Sequence, residues 1–64
     1  MELFIYNLED NSHVATITGD NNEACEAAAH DAGYVNDFGW TYSPAFAFDG
    51  GLTLDHDAEI INAN

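Results

Sequence analysis

The chain has no lysine and no arginine, although it is 64 residues long. Average usage would supply roughly 8 basic residues at that length. Twelve acids against no basic side chain set the formal net charge at -12. No carboxylate can therefore pair with a side-chain ammonium or guanidinium inside the fold, and the acids repel one another at a cost to the compact state. Direct binding to DNA, RNA or an anionic membrane is excluded on the same ground, because each depends on Lys and Arg meeting phosphates. The partner that this composition calls for is basic.

Other scarcities narrow the class. Cys25 is the only cysteine, so no internal disulfide can form. No apolar run approaches the ~18 residues of a membrane span, and no basic segment follows Met1. These features set the expectation of a protein of a reducing cytoplasm. The single proline, Pro44, belongs at a strand start, a bulge or an edge. A chain this short forms one domain, 1–64, and buries only about 60% of the surface it exposes when unfolded. Yet 47% of the residues are hydrophobic and 12% aromatic, more than an acidic disordered tail carries. The expectation is a folded domain with a small core.

What is present divides into short pieces. "MELFIYNLEDNSHVATITG" predicts two strands, about 2–7 and 12–18, joined by a polar turn through "LEDNS". The first is apolar on both faces, Leu3 and Ile5 on one and Phe4 and Tyr6 on the other, so the pattern leaves open which face meets the core. "GDNNEACEAAAHDAGY" predicts a helix with Asp20 as its cap, Glu23 three residues on as in a capping box, and Gly33 closing the C-terminus. Cys25, Ala28, Ala29 and Ala32 form its packing stripe, while Asn22, Glu23, Glu26, His30 and Asp31 face water. After a loop through "VNDFG", the run "WTYSPAFAFDGGLTLDHDAEII" predicts two further strands, with a hairpin at Asp49-Gly50 or Gly50-Gly51 between Phe46/Phe48 and Leu52/Leu54. The order β-β-α-β-β predicts an α+β fold, a small antiparallel sheet of about four strands with one helix packed on it. The aromatics Phe4, Tyr6, Phe38, Trp40, Tyr42, Phe46 and Phe48 are expected mostly in the core, with Trp40 and Tyr42 the two that could also anchor an interface.

"DHDAE" has the alternating acids that open an EF-hand loop, but Ile60 stands where that loop needs glycine, and no acid follows Glu59. His13, His30 and His56 fall on separate elements without ligand-like spacing, so no metal and no cofactor are expected. Cys25 lies on the packing stripe with acids beside it, and neither Ser12 nor Ser43 has a base and oxyanion arrangement in view; no enzyme is expected. Protonating the three histidines would move the charge from -12 toward -9, so a charge-driven activity should weaken in mild acid.

The carboxylates remain as a set. On an extended strand Asp55, Asp57 and Glu59 would stand in a row about 6.6–6.8 Å apart, comparable with successive phosphates along one nucleic-acid strand. Glu23 and Glu26, one helical turn apart, could continue the row. Area scaling predicts about 4,000 Å² of surface, one charge per roughly 340 Å², against one per roughly 110 Å² for a duplex treated as a cylinder. Imitation of DNA therefore requires the acids to gather on one face. The bland alternative is a uniformly solvated acidic surface.

In its size, lack of basic residues and acidic surface the whole chain resembles the small acidic inhibitors encoded by bacteriophages and other mobile elements, which imitate DNA and include anti-CRISPR and antirestriction proteins. They share no common motif, so the resemblance is one of kind. It implies a monomeric viral protein acting in the bacterial host cytoplasm on a basic DNA-binding protein or nuclease complex. A CRISPR effector is favoured, since antirestriction mimics tend to be longer. Asp55, Asp57 and Glu59, with Glu23, Glu26, Asp31 and Asp37, are the expected phosphate-mimicking contacts. The competing classes are a calcium or other cation-binding module and a plain acidic interaction or halophilic domain.

Overall fold

A computed structural model describes residues 1–64. Its elements are β1 (Glu2–Asn7), β2 (His13–Thr18), α1 (Asn22–Asp31), β3 (Phe38–Thr41), a 3₁₀ turn at Pro44–Phe46, and β4 (Glu59–Asn62). The strands form one sheet in the order β3-β1-β2-β4. The α+β class and the single helix agree with expectation; the fully antiparallel sheet does not, because β4 runs parallel to β2.

The β1–β2 hairpin closes through local polar chemistry. The Asn7 amide donates to Ser12 O at 2.8 Å, and Asn11 adopts the left-handed φ of 61° that asparagine tolerates. Asn7 Oδ1 and Asp10 Oδ1 receive the amides of Glu9 and Ser12, so the turn satisfies its own backbone. A register shift follows: Ile5 opposes Ala15, while Tyr6 opposes His13. Such a bulge inserts one residue, here Val14, and re-aims its neighbour. His13 consequently shares the face of Phe4, its ring centroid 5.8 Å from that phenyl, while Ala15 joins the opposite face.

That opposite face carries the core. Leu3, Ile5, Ala15 and Ile17 meet Cys25 and Ala29 of α1, all fully buried. Each large aliphatic there contributes about 1.5–3 kcal/mol of burial. Small helix residues allow the close approach, and Gly19 has no Cβ where the Cys25 thiol would lie 2.9 Å away. Ala28 packs at the margin, but Ala32 is the exposed C-cap and lies off the predicted stripe. The helix begins one residue later than expected. Asn21 Oδ1, not Asp20, receives the Ala24 amide at 2.8 Å, so Glu23 lies too early to close a capping box. Its end is as predicted: Gly33 takes a φ of 86°, Tyr34 N–H reaches Ala29 O and Gly33 N–H reaches His30 O, a Schellman pair.

The direction of β4 follows from chain path. β3 is antiparallel to β1 and β4 is parallel to β2, so β3 and β4 run the same way. The segment 42–58 must return across the sheet before β4 can start, and it does so over the face opposite α1. That crossover occupies the place of the predicted hairpin. Gly50 and Gly51 do turn the chain, with φ of 90° and 81°, but Leu52 N–H then returns to Pro44 O at 2.7 Å instead of pairing strand to strand. Phe48 meets Tyr6 edge-on at 4.9 Å, and Leu52 is buried. Phe46, expected inside, is 88% exposed because it lies on the outward side of the 3₁₀ turn. Both faces of β1 are thus covered in part, which explains why both are apolar.

Candidate partner-binding surface

Of the twelve acids, eleven are exposed; only Glu26 is half-buried. Their positions follow the elements that carry them. Asp55 and Asp57 sit not on a strand but in the turn that precedes β4, and Glu59 alone begins the strand. The turn is made by Asp55 itself, whose Oδ1 receives the Asp57 amide at 2.9 Å and whose carbonyl receives Ala58 N–H at 3.0 Å. Aspartate's capacity to bond its own backbone two residues on has displaced the extended conformation. The straight row of three charges is therefore absent.

Glu59 points toward the helix side of the sheet, its carboxylate receiving the Tyr34 hydroxyl at 2.7 Å. This bond, and secondarily burial, raises the Tyr34 phenol above its ordinary pKa. Asp31 lies on the same flank, beside Ile61 in the channel between α1 and β4. Glu26 lies on the β3 flank of the helix, where its Oε2 receives the Tyr42 hydroxyl at 2.9 Å. Burial, followed by that hydrogen bond, pushes the Tyr42 phenol up to about 12. The Asn22 carbonyl lies 3.3 Å from the same hydroxyl, and Trp40 stands edge-on to His30 while its indole N–H donates to Tyr34 O at 2.7 Å, so both aromatics brace α1. Glu23 stands in the first helical turn, and Asp37 lies beside Glu9 near the β1–β2 turn. At that turn the Ser12 hydroxyl and amide hold the Asp10 carboxyl below the usual carboxylate range.

The seven predicted contact residues thus occupy several regions of the surface. The accessible surface of 4096 Å², shared among 12 acids, allots about 340 Å² to each, as area scaling predicts. The structure adds one place that the sequence reading did not single out. Glu2 and Asp55 both line a groove whose walls include Leu54 and Ile60, both exposed and apolar. The local pattern around Leu54 is that of a hairpin strand, so it does not mark Leu54 as a surface residue.

The Cys25 thiol is fully buried against Met1 O and Ile17 O, and no three His, Cys, Asp or Glu side chains converge. No helix is long and apolar enough to cross a membrane. No protein-family model, curated protein or solved structure matches the chain.

Proposed function

We propose that this protein is an acidic DNA-mimic inhibitor of the anti-CRISPR type, a phage protein that binds the basic DNA-binding site of a CRISPR effector in the host cytoplasm and blocks target DNA. The observation that carries the reading is a folded domain with no basic side chain and eleven of twelve carboxylates exposed to solvent. A surface with no lysine or arginine attracts a basic channel from nearly every approach. Such a field speeds encounter and suppresses binding to other acidic partners. The sparse spacing of the acids directs the reading toward occupation of a basic site, with field and shape together, and away from copying many base pairs of duplex.

The test is competition. Purified effector complexes of several types are loaded with guide RNA, and target-DNA binding is measured with and without the protein at rising salt. One complex should lose DNA binding, and the inhibition should weaken steeply as salt rises. Asp55→Asn, Asp57→Asn and Glu59→Gln together should reduce it. Full inhibition by that triple variant, with its circular dichroism unchanged, sinks the assignment of contacts; intact DNA binding by every effector sinks the inhibitor reading.

A further inference from the structure

The groove on the sheet face opposite α1 has the chemistry of a receptor for one particular side chain. Its volume is about 460 Å³; Phe4 and Thr16 line it from the sheet, Leu54 and Ile60 from the crossover and β4, and Glu2, Asp55 and His56 are among the polar residues of its lining. Ile60 is 80% exposed and Leu54 53%, so two aliphatic side chains face water where the segment 42–58 leaves the sheet uncovered. We infer that this groove takes an arginine of the basic partner, which deepens the inhibitor reading and rests on it.

The argument is complementarity of charge and form. An arginine carries an apolar stem and a planar cationic head. Leu54 and Ile60 match the stem; Glu2 and Asp55 match the guanidinium, whose fork of donors suits carboxylates; and half-buried Phe4 lines the groove as the aromatic residue available for cation–π contact. Lysine would gain the charge but not the planar fit. No side chain of this protein can serve, since it has no lysine or arginine. A second copy would bring a charge of -12 against another of -12. Arginine is also the cation most enriched among residues that dominate protein interfaces.

The probe is a tetra-arginine peptide at low salt, followed by amide shifts of the full chain, with tetra-lysine as comparison. The expected result is saturable shifts centred on Phe4, Thr16, Thr18 and Ile60, tighter for arginine than for lysine. Glu2→Gln with Asp55→Asn should weaken binding at least about tenfold, and Phe4→Leu should remove most of the preference for arginine. Glu9→Gln with Asp49→Asn, an equal loss of charge at exposed acids that neither line the groove nor belong to the expected contacts, should leave affinity within about twofold. Shifts spread over all the acids, or equal weakening by the two charge-matched pairs, would mean diffuse counterion attraction and overturn the proposal. So would sedimentation of the free protein as a dimer with these amides already protected. The inhibitor reading stands or falls separately. Effector inhibition that survives Phe4→Leu combined with Glu2→Gln removes the groove and leaves that reading, whereas groove-centred peptide binding without inhibition of any effector removes the reading and leaves the groove.

Discussion

The Asp55 amide donates to His13 Nδ1 at 2.9 Å, joining residues 42 positions apart. The other ring nitrogen lies 3.0 Å from Ala15 O and 2.8 Å from Thr16 Oγ1. A ring that accepts at Nδ1 carries its proton at Nε2, where the Ala15 carbonyl and the Thr16 hydroxyl are both within reach as acceptors. His13 is only 6% exposed, so its bonds are shielded from water. One imidazole thereby fastens the crossover to the central hairpin, directly beside the groove.

His13→Phe keeps the ring and removes the acceptor. The Asp55 amide is left without its partner, at a cost of about 1–3 kcal/mol. Amide exchange at Asp55, Asp57 and Ala58 should accelerate toward that of open chain, while Leu3, Ile5 and Ile17 in the hairpin keep their protection. Retained protection at Asp55 would show that the loop is held by other contacts.

Tyr42 ties stability to alkaline pH. Its phenol rises to about 12 in the fold, through burial first and the Glu26 hydrogen bond second, against about 10 in the unfolded chain. The fold favours the neutral phenol, so this contribution is complete below pH ~10 and is lost as pH climbs through the folded value. Tyr34 is raised in the same direction, chiefly by its bond to Glu59. Urea midpoints measured across the alkaline range should therefore fall, and less so in Tyr42→Phe. Phenolate absorbance should show Tyr42 ionising late in the wild type; ionisation near 10 would contradict the assignment.

Gly39 and Tyr6 form a pair in which one residue occupies the room the other leaves. They are register partners, and the Tyr6 ring lies where a Cβ on Gly39 would be. Gly39→Ala should displace the ring from Phe48 and destabilise the protein by about 1–3 kcal/mol. In a Tyr6→Ala background the same change should cost much less, because the obstruction is gone. A chemical-denaturation cycle measures the coupling, and additivity of the two changes would refute it.

The parts legible in the sequence were those decided by neighbours in the chain. The hairpin turn, the spans of β1 and β2 and the Gly33 terminus all depend on contacts within a few residues, and their signals agree; Phe38 and Gly39, expected in a loop, instead begin β3. Asp20 and Asn21 are both good caps, so a one-residue error there reflects two equivalent local solutions. The region from Asp49 to Glu59 failed for a different reason. Gly50 and Gly51 do turn the chain, but whether strands flank that turn depends on Pro44, His13 and the path back across the sheet. Asp55 suits a strand's wet face or a turn, and distant His13 selects the turn. The candidate contacts inherited this error: three acids two residues apart formed a row only if the strand existed. The groove was equally hidden, since Glu2, Phe4, Leu54 and Ile60 come together only through the parallel placement of β4.

That placement also sets the order in which the domain comes apart. β4 reaches its register through Ala15↔Glu59 and Ile17↔Ile61, pairings between the two ends of the chain, and has a neighbour on one side only. The hairpin beside it is held by a short turn and covered by α1. Under mild denaturant β4 should peel before the hairpin opens and close after it, exposing the flank of Ile17 before β1 and β2 separate, so the proposed groove rests on a part of the sheet that yields ahead of the hairpin.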